Sequence, residues 1–157
     1  MSGYSLYILV KANTRASAKR AAEAVLDGFW DDGTLQEGDR GEVDGGEVFR
    51  LSECGESKLL SFNRQRAGSA RAYLLDALGE ASKSGYASLL EVPPAEVKDT
   101  LVGFYLRKAG DILNGSFAPW GVVYDSETYE CGFTQERIRE LMKHPKQWWL
   151  VDCTVGP

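Results

Sequence analysis

Apolar and polar positions alternate most regularly over Tyr4–Lys11. In an extended chain Tyr4, Leu6, Ile8 and Val10 fall on one side, and Ser5, Tyr7, Leu9 and Lys11 on the other, because successive strand side chains point to opposite faces. Both sides carry apolar groups, so the segment is expected as a central strand rather than an edge. The period then lengthens. Ala18, Ala21, Ala22, Val25 and Phe29 form one helical stripe, while Lys19, Arg20 and Glu23 face elsewhere. Asn13 or Thr14 can cap this helix through a side-chain oxygen, and Gly28 is an expected stop. Small alanines let a helix lie close to a sheet. A strand followed by such a helix suggests a ferredoxin-like opening βα unit, among other α+β layouts.

Residues 31–57 break this pattern. Nine acidic residues face only Arg40 and Arg50, and six glycines punctuate the run. The expectation is an acidic, glycine-rich loop over about 31–46. A hairpin follows, with strands Glu47–Ser52 and Lys58–Asn63. The charge then reverses at Arg64, Arg66 and Arg71. A second helix is expected from Ala67–Ser69 to about Lys83, carrying Ala70, Leu74, Leu75, Ala77, Leu78 and Ala81. Ser84 and Gly85 end it. Pro93 and Pro94 open a third helix, which carries Val97, Leu101, Phe104, Tyr105 and Ile112, with Gly103 and Gly110 as points of close approach.

The last forty residues read as a second hairpin, Trp120–Tyr124 returning through Thr128–Cys131. A helix capped by Thr134 follows, with Ile138, Leu141 and Met142 on its apolar side. Pro145 precedes a closing strand, Gln147–Val155. Trp148 and Trp149 must point to opposite faces of that strand. One is expected in the core; the other needs a cover from this chain or from a partner. The closing strand is the natural neighbour of the opening one. The resulting fold class is α+β in one domain, 1–157: a mixed or antiparallel sheet of five or six strands with about four helices, mainly on one face.

Net charge narrows the partners. At −5, the chain lacks the basic surface that displaces counterions from nucleic acid, so direct nucleic-acid binding is not expected. No run of about 18 apolar residues exists, so no membrane span is expected. The start shows no basic, then apolar, secretory signal, and Cys54, Cys131 and Cys153 are odd in number and widely spaced. Free thiols in a cytoplasmic protein are the expectation.

GxGxxG after a strand, GxxxxGK[ST] and GxSxG are all absent. With His144 as the only histidine and no CxxC pair, no metal site and no cofactor are expected. A hydrolase would have to assemble Cys131 or Cys153 with His144 and Asp152, yet Cys153 and Asp152 are strand neighbours that point apart. Arg64, Arg66 and Arg71 near an expected helix start suggest an anion site, because free amides, the helix dipole and forked guanidinium groups would converge there. The competing reading pairs these arginines with the preceding acidic loop.

The opening strand–helix unit, the Trp120–Glu130 hairpin, the capped helix and the closing Trp148–Cys153 segment together resemble small uncharacterised bacteriophage-encoded proteins. In those, a hairpin of the type Val-Val-x-Pro-Asp-Gly-x-Trp precedes a final Val-Asp-x-His strand. Here the turn lacks the proline and glycine, and Cys153 and Thr154 follow Asp152 in place of the terminal histidine. The resemblance implies a viral accessory origin and carries over no functional residue.

The leading expectation is therefore a non-catalytic binding protein: a phage-type accessory protein or an inhibitor of a host protein, placed in the host cytoplasm. Asp31, Asp32, Glu37, Asp39, Glu42 and Asp44 would meet a partner with a basic surface, and Trp148 would join the interface. A homodimer competes with that use of Trp148. The alternatives are a binder of a small anionic ligand such as a nucleotide at Arg64, Arg66 and Arg71, and a hydrolase built on His144.

Overall fold

The computed structural model describes residues 4–33, 35, 40–115 and 122–156. In chain order they form β1 (Tyr4–Lys11), α1 (Arg15–Asp31), β2 (Arg40–Arg50), α2 (Leu51–Lys83), a 3₁₀ turn at Leu89–Glu91, α3 (Pro94–Val97), α4 (Leu101–Leu113), β3 (Val123–Asp125), α5 (Gln135–Met142) and β4 (Trp148–Gly156). The strands make one mixed sheet in the order β2-β4-β1-β3. β1 is internal, as its two apolar sides require. It pairs antiparallel with β4 from Tyr4 opposite Val155 to Lys11 opposite Trp148, so the two ends of the chain are tied together. β3 runs parallel to β1, with Tyr7 opposite Val123. β2 lies antiparallel on the outer side of β4.

Helices cover both faces of the sheet, not mainly one. On the first face Leu6, Ile8, Val10, Val151, Cys153 and Val155 pack against Ala18, Ala22, Leu26 and Phe29 of α1. Thr14 caps that helix by accepting from Ser17 N at 3.1 Å, and Ser17 Oγ accepts from Thr14 N in return. The helix runs past Gly28 to Asp31. On the second face Leu9, Val123, Trp148 and Leu150 meet Leu51, Leu59 and Phe62 of α2, together with Ile138 and Leu141 of α5. Thr134 caps α5 as expected, accepting from Arg137 N at 3.0 Å.

The structure corrects the expected sheet. It has four strands among the described residues, and neither expected hairpin forms. Residues 40–46, expected as loop, belong to β2, whose register shifts between Val43 and Val48 around Asp152. Lys58–Asn63 is helix, because α2 starts at Leu51 and carries one buried stripe through Leu59, Phe62, Arg66, Ala70, Ala77 and Ala81. Gly55 kinks this helix with φ +71°, a backbone conformation that favours glycine. In the second hairpin the turn survives without the returning strand. Tyr129 N donates to Asp125 O and Asp125 N to Glu130 O, each at 2.9 Å, but Cys131 N turns away to Gly115 O. β3 spends its ladder on β1. Trp120 lies outside the described residues. β1 and β2, both antiparallel to β4, run parallel to each other with β4 between them. With helices on both faces and β3 parallel to β1, the expected ferredoxin-like opening is not confirmed.

Beyond the kink α2 extends on the order of 40 Å at 1.5 Å per residue. Its far half leaves the sheet and packs against α4, with Ala81, Val92 and Val102 in a small separate core. The expected third helix is broken into α3 and α4, and Thr100 precedes the second piece. Gly103 is buried where a Cβ would overlap the Val97 carbonyl, which is the close approach its sequence position suggested.

Candidate functional site

The three arginines do not converge. Because α2 begins at Leu51, their backbone amides are spent inside a helix and no free N-terminus points outward. Arg64 and Arg71 are seven residues apart, two turns, and both are exposed on the outer side of α2. Among the described residues neither forms an ion pair. Arg66 points the other way and is 6% exposed. Its guanidinium donates to the Ile112 carbonyl at 2.9 Å, a cation placed on the C-terminal carbonyls of α4. Burial holds the Arg66 pKa below its ordinary value, against the pull of nearby Cys131.

Arg66 also lines a cavity of about 290 Å³ with Asn63, Ile112, Gly115, Cys131 and Phe133. Asn63 clamps the facing chain from both sides: Nδ2 donates to Phe133 O at 2.6 Å, and Oδ1 accepts from Phe133 N at 2.9 Å. Burial pushes the Cys131 thiol up to about 11 although Arg66 opposes the shift, so it is protonated at neutral pH. A protonated, enclosed thiol is a poor nucleophile. Cys153 is fully buried on the α1 face and donates to Val151 O at 3.5 Å, whereas His144 is exposed just past α5 on the opposite face. The sheet separates these two groups. Asp152 accepts from Ser5 Oγ at 2.6 Å. Among the described residues no group of three His, Cys, Asp or Glu is placed to hold a metal ion, and no helix is long and apolar enough to cross a membrane.

Asp31 and Asp32 are exposed at the end of α1. Glu42 and Asp44 belong to the backbone of β2, and Glu37 and Asp39 lie outside the described residues. Trp148 is 6% exposed, covered by this chain's own elements. The Arg137 guanidinium stands 4.9 Å from its ring centre and Lys11 Nζ 6.0 Å. Trp149 is equally buried; its Nε1 donates to Ala12 O at 3.0 Å, and Arg50 lies 4.4 Å over its ring.

Sequence reasoning missed the most organised polar group in the molecule. Asp125 is completely buried and holds Arg137 in a fork, Nε to Oδ2 at 2.8 Å and Nη2 to Oδ1 at 3.2 Å. Its Oδ1 also accepts from Glu127 N at 3.0 Å and Thr128 N at 3.3 Å. Burial disfavours the Arg137 charge, but Asp125, then Glu127 and Glu140, outweigh it and hold its pKa above the ordinary value. Every one of these bonds is internal, so the pair clamps the turn after β3 onto α5. Asp125 lay in a stretch that read as a surface turn, and Arg137 in an amphipathic helix; no sequence signal joined them.

The outer side of α2 carries exposed apolar residues close together on one helix. Leu75 is 55% exposed, Leu78 39% and Leu74 38%, in line with Arg64 and Arg71 on the same helix. No protein-family model, curated protein or solved structure matches the chain.

Proposed function

We propose that this is a non-catalytic binding protein that acts on another protein through the helical arm formed by α2 and α4. One observation carries this reading: α2 presents Leu74, Leu75 and Leu78 to solvent beside two arginines that have no ion pair among the described residues. Adjacent exposed leucines on a rigid helix are the kind of surface that marks an interaction site. The buried charged groups support it from the other side, since Arg137, Asp125 and Arg66 are engaged in holding the fold together. An accessory protein or inhibitor acting on a host protein is the concrete form, in keeping with the likeness of the chain ends to bacteriophage proteins. Asp31 and Asp32 supply an exposed acidic element at the end of α1, apart from this arm in sequence.

Affinity capture from cell lysate with the intact chain tests the reading. A specific protein should be retained by the wild type and lost with the double variant Leu75→Ser and Leu78→Ser. It should survive Asp31→Asn with Asp32→Asn. Capture that ignores the leucine substitutions would refute the assignment to the arm.

A further inference from the structure

The outer side of α2 carries more information than its exposure. Arg64, Ala67, Arg71, Leu74 and Leu78 are spaced 3, 4, 3 and 4 residues apart, and all five are exposed. That is the spacing of a heptad seam, which repeats every 3.5 residues and receives the side chains of a second helix. Leu75 and Gly68 flank the line, also one heptad apart. Among the described residues nothing lies within 4 Å of the place a Cβ of Gly68 would occupy, so their packing does not call for a glycine there. A glycine inside a helix costs about 1 kcal/mol relative to alanine. Close approach by another backbone gives that position a reason.

From this spacing we infer that the outer side of α2 receives an amphipathic helix from a partner protein, and that this partner helix carries acidic residues along its flanks. The inference rests on the binding reading above and names the partner's chemistry. A strand is a poor occupant, because the α2 amides are used within the helix and no open ladder is offered. The seam contains cations and, at those five positions, no anion, so the complementary charges must come from the occupant. A second copy of this chain does not provide them. Two α2 seams aligned in parallel oppose Arg64 to Arg64 and Arg71 to Arg71, and in an antiparallel alignment neither arginine meets an acid, because the five seam positions contain none. The net charge of −5 adds repulsion between copies. An anionic membrane surface fares no better, since two arginines on an acidic protein fall short of the basic cluster that such surfaces attract.

Two synthetic helical peptides of about 21 residues, three heptads, test this. Both carry leucine at the seam positions; one carries glutamate on the flanks, the other lysine. In fluorescence-anisotropy titrations with the intact protein, the glutamate peptide should bind about tenfold or more tightly than the lysine peptide, and raised salt should narrow the gap. The double variant Arg64→Glu and Arg71→Glu should reverse the preference, while Leu75→Ser with Leu78→Ser should weaken both peptides. These positions are exposed, and matching circular dichroism melts check that the variants fold. Equal affinity for the two peptides, or binding of neither, overturns the inference. So does a wild-type dimer in sedimentation that the leucine variant abolishes. If neither peptide binds while leucine-dependent capture from lysate persists, the acidic helix falls and the binding role of the arm stands.

Discussion

The sheet and the arm use polar groups in different ways. Around the sheet, Asp125 holds Arg137 in a buried fork, Arg137 and Arg50 lie over the two tryptophans, and Tyr7 Oη donates to Glu47 at the surface at 2.9 Å. Arg50 Nε is buried there without a hydrogen-bond partner among the described residues. In the arm, a long contact that includes Ala81, Val102, Leu106 and the stacked Tyr73 and Tyr105 holds α2 to α4, and Arg66 is buried on the end of α4. Leu74, Leu75, Leu78, Arg64 and Arg71 stay in solvent. The sheet has two apolar faces, each with its own helical cover. An antiparallel helix pair can bury only the facing stripe of each helix, so an apolar residue elsewhere on α2 has nothing of its own to pack against. The covers of the sheet leave its apolar faces closed, whereas the outer side of α2 leaves apolar residues in solvent.

The largest test of this contrast is Arg137→Ala. Removing one partner of a buried ion pair strands the other, and a loss of about 3–5 kcal/mol is expected in denaturant unfolding. The double variant Arg137→Ala with Asp125→Ala should lose less than the sum of the single effects, because no lone buried charge remains. A loss below about 1 kcal/mol, the value of an exposed pair, would show that the clamp does not matter.

Alkaline pH gives the next effect. Cys131 is raised from 9.0 to about 11 and Tyr124 from 10.0 to about 12, both chiefly by burial. A raised folded pKa means that the native state binds the proton more tightly. The stability it contributes is present below the unfolded pKa and is lost as pH rises through the folded one. Unfolding free energy should fall across pH 9–12, with Cys131 accounting for on the order of 2 kcal/mol. Cys131→Ala should flatten the pH 9–11 part of that decline. An unchanged slope would remove Cys131 as its source.

Gly103→Ala probes the arm. A Cβ there overlaps the backbone carbonyl of Val97, which cannot swing aside as a side-chain tip can, so a loss of about 3 kcal/mol, the upper end for overpacking, is expected. Hydrogen exchange should speed up in α4 and the far half of α2 while β1 and β4 keep their protection. Uniform loss of protection would mean that sheet and arm open together.

Legibility followed the same division. β1, α1, α5 and β4 were readable because each keeps one clean period and, for the helices, a side-chain cap at the start. The first half of α2 was not. Leu59 and Leu60 formed a short apolar run that strand and helix share, and Arg66 occupied a stripe position where an apolar residue was the signal. Glycines across 41–46 read as loop, although β4 supplies the pairing that makes the segment a strand. For the candidate site, the sequence marked Arg64, Arg66 and Arg71 as a group. Three-dimensional packing divided them, turning Arg66 onto the end of α4 and leaving Arg64 and Arg71 in line with the exposed leucines.

By itself, then, the sequence determined the α+β class, the inner place of Tyr4–Lys11 and two capped helices, since period and capping are local properties of neighbouring residues. Only the tertiary structure decided the rest: where α2 begins, which faces the helices cover, and that Asp125 meets Arg137. Burial and pairing between distant segments settle those matters, and they override the local preferences of the residues involved.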